Sequence, residues 1–305
     1  MLLLRLIYAA IGAVFATQSL AEVPRVATDI APVHSLVAQV MNGLGEPDLI
    51  LRPGASPHSY ALRPSEARAL QDADLVVWMG PELTPWLQKP IEILGPGADA
   101  VELLNLAESR LQPLRDPGAD HGHDHDHDHG NEAAAIDPHA WLDPENGKIW
   151  LGVIARRLAA ADPENADQYL ANAAAGQARI EAASAAIVAL LAPVQGQPHV
   201  TFHDAYQYFE IRFDLASAGT VKLSDAADSS PADLAELRAA INNGTVACAF
   251  SEPQFDTGLL TAAAEGTNLR IAVLDPMGSA LTPGPDLYPA LLEKLAESIA
   301  DCAAE

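Results

Sequence analysis

Basic residues are scarce in this chain. It carries 17 Lys and Arg against 41 Asp and Glu, which gives a formal net charge of −24 over 305 residues. A surface this acidic repels nucleic acid and anionic lipid headgroups. We therefore expect neither a nucleic-acid partner nor adsorption to a membrane surface. Aromatic residues make up only 5% of the chain and alanine fills many apolar positions, which favours alanine-rich helices over a β-sandwich.

Long apolar runs are also lacking. The run from Leu6 to Ala16 has eleven residues, too few to span a bilayer of about 30 Å as a helix, and no later run reaches about 18. Arg5 precedes this run, and Ser19-Leu20-Ala21 follows it with the small-x-small pattern of a signal-peptidase site. We predict that residues 1–21 are a cleaved signal peptide and that the mature chain is periplasmic, with no segment inserted in the membrane.

Only two cysteines are present, Cys248 and Cys302. In an exported chain an even number of cysteines favours a disulfide, and the alternative is a pair of buried thiols. The local signatures HExxH and CxxC are absent, and so is the P-loop of ATPases. Nothing in the sequence therefore indicates that this chain hydrolyses ATP or carries a compact metal motif.

Short apolar strands alternate with helical segments in both halves of the chain. The strands read VPRVATDI, DLILR and LVVWMG in the first half and HVTFHD, VACAF and RIAVLD in the second. This alternation is typical of parallel βα units. Asp162 and Pro163 mark a helix start, and no further proline occurs before Pro193. Residues 163–192 are therefore predicted to form one helix about 45 Å long.

We predict an α/β fold of two Rossmann-like lobes joined by one long, rigid helix. The expected boundaries are an N-terminal lobe over 22–162, the linking helix over 163–192 and a C-terminal lobe over 193–305. A loop at 119–131 interrupts the first lobe, and its run HGHDHDHDHG marks a solvated segment.

This loop carries five of the ten histidines, and several of them alternate with aspartates. They are His121, His123, His125, His127 and His129. Such a composition recruits divalent metal weakly, without a fixed cage. The alternative interpretation is a solvated acidic spacer with no role in metal binding.

Three other histidines lie in turns or at strand ends. They are His58 in GASPHSY, His139 in DPHAWLDP and His203 in VTFHDAY. Ligands of open α/β sheets bind beyond the carboxyl ends of the strands, and Asp275 follows the strand RIAVL as His203 follows HVTF. A single histidine is more often structural than a ligand, so spacing alone leaves the role of these residues open.

Five stretches of the sequence point to a family. In chain order they are LRPGASPHSYALRPSEARALQDADLVVWMGPEL, DPHAWLDPENGK, TFHDAYQYFEIRF, FSEPQF and LDPMG. Over nearly all of the mature chain they resemble the zinc-binding periplasmic component of bacterial high-affinity zinc ABC importers. The histidine-rich loop resembles that family too, as does the pair Cys248 and Cys302, whose counterparts form a disulfide.

The resemblance implies a zinc site in the cleft between the lobes. His58, His139 and His203 match the zinc ligands, and Asp275 matches an aspartate at the fourth position in the broader metal-binding family. Some members use a glutamate just before the first histidine, but Pro57 stands there in this chain. The fourth ligand is therefore Asp275, a water, or both in turn. Zn²⁺ accepts imidazole nitrogen and carboxylate oxygen in a tetrahedron, so the set is chemically coherent.

For function, the resemblance implies a solute-binding protein and not an enzyme. We expect it to capture Zn²⁺, the transported ligand, and to deliver it to an ABC permease of the inner membrane that a separate ATPase drives. The histidine-rich loop is expected to be an auxiliary low-affinity zinc collector or sensor. We also expect the protein to be a monomer.

Two alternatives stay open at this point. Three histidines and an open position also describe a catalytic zinc site, although the only acidic neighbour of a candidate ligand is Asp204, next to His203. The second alternative is a transporter for Mn²⁺ or Fe²⁺. Manganese relatives carry a glutamate where His203 stands, because oxygen suits the harder ion. Asp137, Asp204 and Glu252 are candidates to bond the second ring nitrogen of a ligand.

Overall fold

The computed structural model describes residues 22–115, 135–222, 238–239, 241, 246 and 248–304. The predicted signal peptide (1–21) and the histidine-rich loop (119–131) lie outside the described residues. Both therefore remain predictions from the sequence.

The first lobe contains a four-stranded parallel sheet with the order β2-β1-β3-β4. Its strands are β1 (Val26–Thr28), β2 (Asp48–Leu49), β3 (Leu75–Trp78) and β4 (Asp99–Glu102). The central strands β1 and β3 are buried along their whole length, as expected for a parallel sheet covered on both faces. The helices of this lobe are α1 (Ala31–Val40), α2 (Pro64–Asp72) and α3 (Pro85–Leu94).

Proline and a local carboxylate define where these helices begin. Pro64 and Pro85 occupy first-turn positions, where the fixed φ of proline suits the helix and its missing N–H is not needed. Glu66 accepts a hydrogen bond from the backbone N–H of Arg63 at 2.7 Å, which closes the start of α2. This bond fixes the last residue of the loop before α2 to the first turn of the helix.

The first lobe ends with a long helix, α4 (Pro144–Ala161), which packs along the next helix, α5 (Ala166–Leu191). Short 3₁₀ turns at Pro163–Asn165 and Ala192–Val194 extend α5 at both ends. The prediction of one long helical segment between the lobes is therefore confirmed.

The second lobe repeats the architecture with the parallel strand order β6-β5-β7-β8. Its strands are β5 (His199–His203), β6 (Ser217–Lys222), β7 (Cys248–Ser251) and β8 (Arg270–Val273). The helices of this lobe include α6 (Gln207–Phe213), α7 (Gly258–Ala264) and α8 (Leu287–Ala304). The predicted fold class, two parallel α/β lobes around a long helix, is confirmed.

The two lobes share one hydrophobic core. The buried face of α5, which includes Tyr169, Ile180 and Ile187, belongs to a cluster that runs from β1 in the first lobe to α8 in the second. By length and hydropathy, α5 with its flanking turns is apolar enough to cross a membrane, but a core helix of a soluble protein passes the same test. Because packed interiors resist deformation, this shared core holds the lobes in a defined arrangement.

The predicted disulfide is present between Cys248 and Cys302. It joins the first residue of β7 to α8, across 54 positions of sequence. A cross-link that closes a loop of this length stabilises a fold by roughly 4 kcal/mol in the chain-entropy account. The last helix is thereby tied covalently to a central strand of the second lobe.

A close approach between α4 and α8 yields a first prediction. A Cβ atom added at Gly147 on α4 would lie 2.5 Å from the hydroxyl oxygen of Tyr288, which is fully buried. Gly147→Ala is therefore expected to lower the free energy of unfolding by about 1–3 kcal/mol, because the ring or the helix must shift. Urea unfolding of the purified protein measures this change.

Gly152→Ala on the same helix is the matched control. There the nearest atom to an added Cβ is a guanidinium nitrogen of Arg156 at 3.4 Å, the end of a flexible side chain. The variant should be unchanged or more stable by up to about 1 kcal/mol, because alanine is the better helix former. Equal destabilisation by both substitutions would contradict the packing argument.

Candidate metal centre

His58 lies in the loop between β2 and α2. The indole N–H of Trp86 on α3 donates to the carbonyl oxygen of Pro57 at 2.7 Å, directly before the histidine. The hydroxyl of Tyr60, just after it, donates to Glu66 at 2.8 Å and its ring contacts that of Trp86. The loop is thus fixed on both sides of a half-buried His58.

His139 precedes a short 3₁₀ turn that leads into α4. One oxygen of Asp137 accepts the backbone N–H of His139 at 3.0 Å and lies 2.8 Å from its ring Nδ1. The hydroxyl of Tyr288 donates to the carbonyl oxygen of Trp141 in the turn at 2.7 Å. The indole of Trp141 in turn donates to the carbonyl oxygen of Pro276 in the second lobe at 2.8 Å. This buried histidine is therefore held by contacts from both lobes.

His203 is the last residue of β5, at the carboxyl end of the second sheet, as the sequence predicted. Glu252 directly follows the neighbouring strand β7, so the two side chains meet at the same edge of the sheet. Its Oε1 lies 2.6 Å from Nδ1 of His203. Both groups are buried, which makes this a desolvated carboxylate–imidazole contact.

The three histidines converge between the lobes. One ligand nitrogen from each ring lies within 4.8 Å of the other two. Nε2 of His139 and Nε2 of His203 are 3.4 Å apart. A metal ion that holds imidazole nitrogens at about 2.0–2.1 Å in a tetrahedron spaces them by about 3.3 Å. These two rings already have the separation that such an ion requires.

The two carboxylates decide which ring nitrogens face the pocket. An ionised carboxylate can only accept, so Asp137 and Glu252 each take the Nδ1–H of a histidine. In the neutral form of each ring, Nε2 of His139 and of His203 then carries the lone pair. Two lone pairs that face each other at 3.4 Å repel unless a cation or a proton lies between them. The arrangement is suited to hold a metal ion.

The walls of the pocket are mostly apolar. Pro57, Trp141, Phe255 and Met277 line it beside the histidines. Among the lining residues that the structure describes, Glu252 is the only carboxylate, and it is bonded to His203. Apolar walls lower the local dielectric, which strengthens the attraction between an ion and its ligands.

Asp275 lies beyond the end of β8, at the edge of the sheet that the sequence predicted. Its carboxylate accepts hydrogen bonds from the backbone N–H of Met277 at 3.1 Å and from the N–H and hydroxyl of Ser279, both at 2.6 Å. The side-chain amide of Gln254 donates to it at 3.3 Å. These bonds direct the carboxylate into the turn that follows β8. Its role as a ligand remains a prediction.

Of the three acids that the sequence offered as partners for the histidine rings, two bond a ring and the third bonds an arginine. Asp137 and Glu252 contact His139 and His203, whereas Asp204, next to His203 in sequence, binds Arg115 of the first lobe at 2.9 Å. Burial raises the pKa of Asp204, and the charge of Arg115 opposes that rise. The sequence analysis missed Arg115. It is the last basic residue before the acidic, histidine-rich loop, and this position could have marked it as a partner for an acid.

Two parallel-sheet lobes around a long helix, with a histidine cluster in the cleft between them, define a solute-binding protein of the metal-binding class. The family zinc-uptake complex component A, periplasmic, matches residues 26–302. The chain belongs to this family, as the resemblance in its sequence implied.

Relatives with substantial identity cover most of the chain. The high-affinity zinc uptake system protein ZnuA of Paracoccus denitrificans is 43% identical over 303 residues and spans 92% of each chain. The protein of the same name from Brucella abortus is 40% identical and spans 91% of each.

Solved structures share the fold at lower identity. A crystal structure of ZnuA matches with a TM-score of 0.77 at 22% identity, over 92% of this chain and 99% of the other. The solute-binding protein FpvC of Pseudomonas aeruginosa, in complex with Mn²⁺, matches with a TM-score of 0.76 at 21% identity, over 92% and 98%. At these identities the similarity supports the fold alone.

The contact between Glu252 and His203 yields a second prediction. Glu252→Gln keeps an oxygen that can accept the Nδ1–H but removes the charge, and Glu252→Leu removes both. The affinity of the cleft for Co²⁺ should fall by about 10-fold in the first variant and by up to about 100-fold in the second. Titration followed by the visible absorption of bound Co²⁺ measures the affinity.

Glu265→Gln, which changes an exposed carboxylate of the same lobe, is the control and should bind Co²⁺ as the unchanged protein does. If Glu252→Gln and Glu265→Gln had the same affinity, the buried carboxylate would not orient a ligand.

Proposed function

We propose that this protein captures Zn²⁺ in the periplasm at His58, His139 and His203. It then delivers the ion to an ABC permease of the inner membrane, which a separate ATPase drives. The observation that carries the proposal is the convergence of three imidazole nitrogens from both lobes within 4.8 Å. Membership of a periplasmic zinc-uptake family and relatives named as high-affinity zinc uptake proteins support the choice of ion and the partners.

Three neutral imidazoles favour zinc over harder ions. Zn²⁺ binds imidazole well in four-coordinate sites, whereas Mn²⁺ and Mg²⁺ prefer oxygen ligands. The second nitrogens of His139 and His203 are bonded to carboxylates, which raises the basicity of the nitrogens that face the ion. If Mn²⁺ were the transported ion, we would expect an oxygen ligand at the position of His203.

The hydrogen bonds of Asp275 bear on the fourth ligand. To reach the ion, its carboxylate would have to give up bonds to Met277, Ser279 and Gln254. A water can complete the tetrahedron without breaking any of them. The sequence left open Asp275, a water, or both in turn as the fourth ligand, and these bonds favour water.

The lining of the pocket favours a site that binds a metal ion without catalysing a reaction. A zinc hydrolase needs a carboxylate or another base free to act on the metal-bound water. Within the described lining of the pocket, the one carboxylate is Glu252, which is engaged with His203. The family is one of transport components, which agrees with a binding role.

The position of the site between the lobes supports delivery. His58 and His139 come from the first lobe and His203 from the second, so an ion held by all three bridges the cleft. Any change in the spacing of the lobes changes the spacing of the ligands and hence the affinity. A permease that binds both lobes can thereby promote release. We expect a monomer to be sufficient for this cycle.

Metal titration of the mature chain, residues 22–305, tests the proposed site. His58→Ala, His139→Ala and His203→Ala should each weaken the tight zinc site by more than about 100-fold, beyond the effect of losing an orienting partner. Asp275→Ala should weaken it by less than about tenfold if water is the fourth ligand. Competitive titration with a chelating dye, together with calorimetric stoichiometry, measures both.

His34→Ala is the control for these substitutions, because His34 lies on α1 and its Nε2 bonds to the carbonyl oxygen of Pro47 at 3.1 Å. It should retain tight binding. Unchanged tight binding in the three ligand variants would move the zinc site out of the cleft and reject the proposal.

We also propose that the histidine-rich loop, with His121, His123, His125, His127 and His129, collects zinc at low affinity. Its five imidazoles and interspersed aspartates provide ligands without a fixed geometry. Deletion of residues 119–131 should lower the zinc stoichiometry and leave one tight site. Calorimetry of the deleted and full-length chains measures the difference, and loss of the tight site on deletion would contradict this role.

A further inference from the structure

The polypeptide that flanks residues 116–134 forms a short antiparallel neck, made of residues 112–115 and 135–137. The backbone N–H of Leu114 donates to the carbonyl oxygen of Ala135 at 2.8 Å. The N–H of Asp137 donates to the carbonyl oxygen of Gln112 at 3.0 Å. The neck belongs to the first lobe, and its returning strand ends two residues before His139.

The neck is docked on α6 of the second lobe. The hydroxyl of Tyr208 accepts the backbone N–H of Gln112 at 2.9 Å and donates to the carbonyl oxygen of Asp137 at 2.8 Å. The side-chain amide of Gln207 donates to the carbonyl oxygen of Pro113 at 2.9 Å. One helix of the second lobe therefore bonds to both strands of the neck.

Arg115 adds charge to this contact. Its guanidinium donates to Asp204 at 2.9 Å and to Glu210 on α6. The other oxygen of Glu210 lies 3.0 Å from Nε2 of His199, and both acids are buried. Burial disfavours the charge on Arg115, but Glu210 and Asp204 raise its pKa above the usual value. A cation held by two buried carboxylates is well placed to fix the neck.

Each end of this contact lies next to a metal-binding histidine. Asp137 in the neck holds the ring of His139, and Asp204 directly follows His203. The path from His139 through the neck, Arg115 and Asp204 to His203 is continuous. It joins the two rings whose Nε2 atoms are 3.4 Å apart.

We propose that Arg115 is a positioning residue for zinc capture: by clamping the neck to α6 it sets the spacing of His139 and His203 and slows release of the ion. This inference rests on the proposed function, because it assumes that the ion is bound by these histidines. Removal of the clamp leaves every ligand in place but allows the two rings to separate, so the ion is lost faster.

A second ion pair between the lobes provides a matched control. Arg212, also on α6, donates to Glu145 on α4 at 2.7 Å. This pair is more exposed than the one between Arg115 and Glu210. Within the part of the chain that the structure describes, the hydrogen bonds and ion pairs of Arg212 and Glu145 involve neither a proposed ligand nor a residue next to one in sequence. Ion pairs that are open to water contribute less to stability than buried ones, because water screens their charges. Arg115→Met and Arg212→Met thus make the same chemical change at two interlobe contacts.

The experiment compares zinc release from the mature chain and its variants, by stopped-flow mixing of the zinc-loaded protein with a chelating dye. Arg115→Met should release zinc about 10-fold faster or more, the effect expected when a partner that orients ligands is lost. Its Co²⁺ form should show an altered visible spectrum, which reports a changed ligand field. Arg115→Lys should restore part of the slow release, and Arg212→Met should match the unchanged protein.

Glu210→Gln is a second test in case Arg115→Met does not fold. It weakens the same ion pair from the second lobe and should also speed the release of zinc. If Arg115→Met and Glu210→Gln had the same release rates and Co²⁺ spectra as Arg212→Met, the inference about Arg115 would be overturned. The proposed zinc site would be unaffected by that result. Failure of the unchanged protein to bind zinc tightly would instead overturn the proposed function.

Discussion

Bonds between buried carboxylates and imidazole rings determine what the cleft can hold. Asp137 and Glu252 are removed from water, and a buried charge is costly unless it is hydrogen-bonded. The Nδ1–H groups of His139 and His203 satisfy these acids, and the same bonds direct the Nε2 lone pairs towards each other. The acids and the rings therefore stabilise a geometry that neither would maintain alone. A cation placed between the rings completes the charge balance.

The second constraint is the shared core, which fixes how the two lobes bring the three histidines together. The long helix α5 contributes to one continuous apolar cluster with elements of both lobes, so the lobes are not independent bodies on a flexible linker. Tyr288 and Trp141 connect this core to the turn after His139 and to Pro276 across the cleft. On the opposite side, Arg115 joins the neck to the second lobe. The spacing of the three histidines thus depends on contacts around the whole cleft.

Much of the architecture could be predicted because its causes are local. Alternating apolar strands and helical segments indicate parallel βα lobes, and the absence of proline between Pro163 and Pro193 indicates the long helix. The pairing of Cys248 with Cys302 followed from having only two cysteines in a chain expected to be exported. His203 and Asp275 each follow a predicted strand in the sequence. Because parallel strands present their carboxyl ends at one edge of the sheet, both residues are expected at that edge. The ligand set itself came from family resemblance, since the spacing of the histidines carries no local signature.

The sequence by itself determined which residue types are available and which elements carry them, since propensity and periodicity act over a few residues. Only the tertiary structure decided how those residues are paired. Asp204 adjoins His203, yet it lies just beyond the end of β5 and meets Arg115 of the first lobe. Glu252, which follows the neighbouring strand β7, bonds the ring of His203 instead. The bonds that direct the carboxylate of Asp275 into its turn are likewise a product of folding. Such partners lie far apart in sequence or on a turn whose shape the rest of the fold imposes, and no local pattern encodes them.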